Sequence, residues 1–381
     1  MATDDLIADA FLRHQLRLEG TAASMAAMMK REVRWAIDEV ERRLEGMGSS
    51  FTRSRLVALR GELELLHENL AFRLSGEARA LAEGVVGSAP GVLAEAQRAV
   101  EASTLTASFA RPTEAVLVEV FSRPFEGKSW SAWGRKLARD VADRVGSELA
   151  RAEALGEGIP AITARLRTVE GLAGSRAEAL ARTLVTDVGN RARVALVQES
   201  FGTLVQGWRY LATLDGRTSK ICAWLDGRTW RLGDEEIRRP PLHPSCRSVL
   251  VPLTDPRRTA DGQRPAVSDT RTPKQRDKDF RRDAMARVGR SRWLRLNERD
   301  RRVLIGRERS RWRSSNVGQV SADTDFESWL SRQSSDFQLD YLGPTRFRAF
   351  ERGLPLEAMA TTSRPLAIAE LSQRYPMEFA P

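Results

Sequence analysis

The chain has 381 residues, 41% hydrophobic and 29% charged, with a net charge of +10. That length suits two or three domains, and the basic balance points to a polyanionic partner, nucleic acid first. Two cysteines exclude a disulfide-framed secreted domain, and a reducing compartment is the expected setting. The opening Met1-Ala2-Thr3-Asp4-Asp5 lacks the basic-then-apolar order of a signal peptide. No apolar run approaches the roughly 20 residues a membrane-spanning helix needs, so a protein of the cytoplasm with no membrane partner is expected.

Residues 4–103 read as helices. Leu56, Leu59, Leu63, Leu66 and Leu70 step by three and four, which predicts an apolar stripe on a helix over 54–75. Gly84, Gly87, Pro90 and Gly91 mark a break. The region reads either as a docking arm or as an ordinary helical subdomain. A loop around Arg111-Pro112 and Arg123-Pro124 leads to a helix on which Trp133, Leu137, Val141, Val145 and Leu149 share a face, ended by Gly156 and Gly158. A short helix is expected after Pro160. Ser175 and Glu178 read as a capping box for another, with Leu180, Leu184, Val188, Ala192 and Leu196 on one face and Gly202 as its stop.

The pattern then changes to short strands. Gln206 to Leu214, Arg228 to Leu232 and Ser248 to Pro252 mix aromatic and aliphatic residues between Asp-Gly turns at Asp215-Gly216 and Asp226-Gly227. A small antiparallel sheet packed on the preceding helices is expected. Between Arg257 and Arg313 there are 20 Arg/Lys against 8 Asp/Glu, so the net basicity belongs to this segment. A helical tail resumes from Asp325 to Leu371. The fold class is α+β, predominantly helical. It comprises a helical arm (1–110), central helices on a small sheet (111–256), an arginine-rich segment (257–320) and a helical tail (321–381).

The arginine-rich segment is suited to phosphates, through Arg281, Arg282, Arg287, Arg290, Arg292, Arg295, Arg301 and Arg302. Contact with double-stranded DNA competes with a solvated helix face and with an acidic protein partner. Phe280, Trp293 and Trp312 can stack on bases or anchor amphipathic helices, and the second suits their helical surroundings better.

Both cysteines and one of the three histidines fall between Thr213 and Arg247. Cys222, His243 and Cys246 are ligand types suited to zinc, and His-x-x-Cys is a usable spacing. A closed structural site needs four ligands, and Asp215 is the candidate fourth. The alternative is a pair of buried thiols near a satisfied histidine. Arg217 and Arg247 can each pair with Asp215 or Asp226, or lie solvated at the surface.

The order Trp208, Asp215, Gly216, Arg217, Thr218, Cys222, Leu225, Asp226, Gly227, then His243, Pro244, Ser245, Cys246, Arg247 resembles the signature of the Mu F-like phage head-morphogenesis family. Ala181-Arg182-Thr183 upstream, and Phe326, Trp329, Leu330, Gln333, Phe337, Gln338, Leu342, Gly343, Pro344 and Arg346 downstream, also resemble it, so the likeness spans about 111–371. Two positions depart from it. Ser219 stands where some members have a further cysteine, and Leu184 where relatives are often acidic. The resemblance implies a minor head protein, not an enzyme, in the virion at the head interior or portal vertex and in the host cytoplasm during assembly. Its implied partners are the portal protein, capsid or scaffolding proteins and packaged DNA. A prophage copy fits as well as a free phage source. The rivals are a zinc-dependent hydrolase or nuclease using the Cys/His cluster, and a host nucleic-acid-binding regulator. Against them, neither a His-Glu-x-x-His motif nor helix-turn-helix or repeated finger spacing is evident.

Overall fold

A computed structural model of the chain describes residues 3–48, 52–101, 123–201, 205–254, 263–267, 271, 273–321, 323–361 and 364–379. Its contacts form two compact units. A helical unit comprises Ala10–Val205 and Arg239–Val249; a mixed unit comprises Met1–Asp9, Gln206–Arg238 and Leu250–Pro381. Neither coincides with one of the four segments drawn from composition: the sheet groups with the basic segment and the tail.

The helical unit is built on α1 (Thr3–Met47), α2 (Arg53–Gly61), α3 (Leu63–Glu101), α4 (Trp130–Leu155) and α5 (Ile159–Phe201). On α1, Met25, Met29, Val33 and Ile37 recur every four residues and are all buried, the spacing of one helix face. The leucine stripe is buried as expected, but it is shared by α2 and α3, which meet at Glu62. No break follows: α3 runs through Gly84, Gly87, Pro90 and Gly91. Ala82, Val85, Val86 and Ala89 stay buried there, and that packing outweighs helix-propensity costs of about 1 kcal/mol per glycine. The expected boundary at Ser175 is likewise absent, since Ser175 Oγ donates to Gly171 O at 3.1 Å inside α5. Ala173, Ala177, Ala181, Leu184 and Val188 form one buried stripe across it. The α4 prediction holds: Ser129 caps its start and Gly156, at φ +66°, its end. Arg111-Pro112 and Gly202 lie outside the described residues.

In the mixed unit, β1 (Gly207–Leu211), α6 (Lys220–Leu225), β2 (Thr229–Arg231) and β3 (Val249–Leu253) supply the expected three-stranded sheet, in the order β2-β1-β3. β1 and β2 are antiparallel, with Trp208 opposite Trp230. A Cβ on Gly207 would stand 2.4 Å from Trp230 O, so only glycine permits this approach. A second pair, β4 (Gln263–Val267) with β5 (Val317–Ser321), had no counterpart in the sequence reading. Between its strands lie α7 (Pro273–Val288), α8 (Arg290–Arg295) and α9 (Glu298–Asn316). The tail forms α10 (Phe326–Ser331), α11 (Ser335–Leu342), α12 (Pro344–Glu351), a 3-10 turn (Leu356–Met359) and α13 (Ile368–Arg374). Phe326, Trp329, Leu330, Phe337 and Leu342 join Leu214, Trp224 and Val267 in one core. The chain is therefore α+β and predominantly helical. No helix of the described residues is long and apolar enough to cross a membrane.

Candidate functional site

His243, Pro244, Ser245 and Cys246 form a tight turn in the helical unit, closed by Cys246 N–H donating to His243 O at 3.2 Å. Ser245 sits at φ +60°, a left-handed conformation that costs a residue with a Cβ. Helix α5 holds the turn in place. Ser245 N–H donates to Thr183 Oγ1 at 2.9 Å, Thr186 Oγ1 donates to Cys246 O at 2.7 Å, and Asn190 Nδ2 donates to Ser248 O at 3.3 Å. Residues 183, 186 and 190 fall on one helix stripe, so α5 presents a polar rail within an otherwise apolar face.

His243 is half-buried and Cys246 fully buried. His243 Nδ1 lies 2.8 Å from Pro244 O. A carbonyl only accepts, so Nδ1 carries the proton and Nε2 is left as the ligand atom. Burial works to lower the imidazole pKa. The hydrogen bond and charge of Cys246 outweigh burial and the opposing Arg247 charge, so it stands above its ordinary value. Arg247 is partly exposed and has contacts of its own.

In the mixed unit Cys222 is buried on α6, and its Sγ accepts from Tyr210 OH at 3.2 Å. Ser219, at the position where some Mu F-like members carry a cysteine, caps α6 by accepting from Cys222 N–H at 3.4 Å. Asp215 is engaged in its own turn: Oδ1 accepts from Arg217 N–H at 3.0 Å and from Thr218 Oγ1 at 3.3 Å. Arg217 reaches Asp215 only at 3.7 Å and is 64% exposed, so that pair is loose. Asp226 is the firmer anchor. It accepts from Ala212 N–H at 2.6 Å and takes both arms of Arg264 at 2.9 Å, with both side chains buried. Arg264 also donates to Thr324 O at 3.0 Å. Gly227, at φ +83°, makes the turn that follows. The strong partner of Asp226 is therefore Arg264, which the sequence reading counted only as part of the basic segment. Thr183, Thr186, Asn190 and Tyr210 were also missed as positioning residues; isolated hydroxyls and amides on an apolar helix face were the available signal.

The arginines singled out on α7–α9 divide into two groups. Arg282 pairs with Asp279 and Asp283, Arg287 with Glu308, and Arg302 with Glu298. Arg301 donates to Trp293 O and Leu294 O at 3.2 Å and lies over the Trp293 ring. Arg295 donates to Ser291 O at 3.3 Å. Arg281, Arg290 and Arg292 are exposed and have no carboxylate partner among the described residues. Phe280 and Trp293 are buried, and Phe280 meets Trp312 edge-on at 6.0 Å. These rings anchor helices and are not displayed for stacking.

Residues 143–251 match the family described as Phage Mu protein F like protein. The matched stretch takes in the second half of α4, all of α5, the sheet's first two strands, α6 and the His243–Cys246 turn. No curated protein and no solved structure matches the chain. Over those residues the chain is similar to the Mu F-like family, which suggests a role in phage head morphogenesis among other head proteins of a virion.

Proposed function

We propose that this Mu F-like chain is a minor head protein acting with the portal at its vertex during head assembly. The family match over residues 143–251 carries the reading. Its role is structural: it docks on portal and capsid or scaffolding proteins and contacts the DNA that enters or leaves. In this reading the exposed Arg281, Arg290 and Arg292 bind phosphates without reading bases. Support comes from their lack of carboxylate partners among the described residues. The side chains already paired with acids add little to that charge.

The reading includes one structural zinc held by Cys222, His243 and Cys246. Each offers one ligand atom of a kind that zinc takes, a thiol sulfur or an imidazole nitrogen. Two thiols and an imidazole that keeps its proton on Nδ1 make a donor set that fits zinc, and the Nδ1–H bond to Pro244 O is the kind of contact that orients a ligating histidine. Asp215 is not in this set, so a fourth ligand comes from elsewhere. Zinc bound there contributes fold stability in place of the thiol and imidazole protons. The direct test of the function is co-purification of the tagged chain with the portal protein of the same phage or prophage.

A further inference from the structure

A cavity of about 300 Å³ opens in the mixed unit, with Thr218, Ser219 and Lys220 on one side and Phe337, Asp340 and Tyr341 of α11 on the other. That volume is at the lower edge of small-ligand pockets. Lys220 is half-buried, and among the described residues its ammonium makes a single hydrogen bond, to Leu342 O at 3.4 Å. Arg346 stands close enough for its charge to act on Lys220. It too is half-buried, and among the described residues it donates only to Leu366 O at 2.7 Å and keeps a buried Nε with no acceptor. Neither cation has a carboxylate partner among the described residues. Two neighbouring cations, each partly withdrawn from water and lacking a counter-charge, are a costly arrangement that a bound anion relieves.

The hydroxyls and rings add to this. Ser219 Oγ accepts the cap bond from Cys222 N–H, which leaves its own proton to donate into the cavity. Tyr341 OH is committed to Thr218 O at 3.1 Å, so its ring bounds the cavity as an apolar surface beside Phe337. Among the described lining residues Asp340 is the one acid, and it limits how much negative charge the cavity accepts.

We propose that this cavity binds a phosphate monoester, the phosphate on Lys220 and Ser219 and the organic group against Tyr341 and Phe337. A free nucleotide and the 5′-phosphorylated end of a DNA strand present the same chemistry. The inference stands apart from the head-assembly reading and from the zinc.

Equilibrium dialysis of the full chain against inorganic phosphate and adenosine monophosphate tests it. Saturable binding of both is expected. Lys220→Gln weakens it about tenfold, Lys220→Arg largely restores it, and Asp340→Asn tightens it; Arg79→Gln on α3 leaves it unchanged. Circular dichroism establishes that each variant is folded. Competition by one short oligonucleotide, with and without a 5′-phosphate, identifies the source. Displacement by the phosphorylated strand alone points to DNA ends, and displacement by neither points to a free nucleotide. Equal displacement by both, absence of saturable binding, indifference of binding to Lys220→Gln, or weakening by Asp340→Asn overturns the proposal.

Discussion

Asp226 and Arg264 meet with both side chains buried, at 0% and 1% exposure. Removing one partner leaves the other charge in the interior, at a cost of about 3–5 kcal/mol, whereas an apolar replacement of both costs far less. Asp226→Ala and Arg264→Met should each lower the urea midpoint strongly, and the double variant should lie closer to wild type than either. Additive losses would contradict this coupling. Asp226 was legible from its Asp-Gly turn, but its partner lies 38 residues on, in a segment whose composition describes a solvated run. His14 and Asp187 make a second prediction. Burial, helped by the Arg193 and Arg17 charges, holds His14 down at about 3. Burial also raises Asp187 to about 6, despite the charge of Arg191 and its bonds to Arg191 and Trp130. The depressed histidine favours folding above its unfolded value and loses that contribution as pH falls from about 6.5 towards 3, on the order of 5 kcal/mol in full. The raised carboxyl does the opposite: its contribution is present below about 3.8 and is lost as pH rises through 6. The two slopes oppose each other between pH 6 and 4. Asp187→Asn should therefore steepen the acid loss of stability in urea melts, and His14→Gln should flatten or reverse it; parallel pH profiles for both variants would refute the assignment.

At the scale of elements, α5 is the scaffold of the candidate site. Thr183→Val keeps the side chain's shape but removes the acceptor for Ser245 N–H at 2.9 Å. Leaving that N–H unmet should cost about 1–3 kcal/mol. If the turn holds a metal, zinc affinity should also fall by roughly 10–100-fold, as second-shell losses do. A Thr183→Val chain with unchanged stability and unchanged zinc content would count against both the rail and the site. Leu184 is fully buried beside it, which explains why an acidic residue is not accommodated here. The basic helices give a separate prediction. Arg281→Gln, Arg290→Gln and Arg292→Gln together should lower the salt dependence of DNA binding, the logarithmic slope falling by roughly 3 if each arginine neutralises one phosphate. A mobility shift absent even at low salt would end the DNA reading. Short elements were well marked in the sequence: the strands of the three-stranded sheet and the Gly156 stop stand near where the sequence put them. Long helices were not. Glycine and proline in α3 and the Ser175 signal in α5 describe local preference, and continuous burial on the opposite face overrode it. The β4–β5 pair, with Gln263 opposite Ser321, lacks the adjacent turn that makes a hairpin readable.

For the whole molecule, the ordered motif from Trp208 to Arg247 was enough to indicate the family, and the match at 143–251 covers it. Composition suggested four consecutive segments, whereas contacts assemble two units from interrupted stretches. A chain that leaves a unit and returns cannot be divided by composition, because burial depends on which distant residues meet. The 239–249 segment shows this: eleven residues with three prolines join the helical unit because Thr183, Thr186 and Asn190 offer their backbone groups partners. Charge also redistributes at this scale. Arg264 lies in the core, Arg282, Arg287 and Arg302 are paired, and only part of the segment's formal excess faces solvent unpaired. The central claim is the role in head assembly, and co-purification of the tagged full chain with the portal protein of the same phage or prophage tests that claim most directly. The account predicts a stable complex that survives moderate salt and contains both proteins. A chain that never associates with the portal, and whose loss leaves head assembly unchanged, would contradict it.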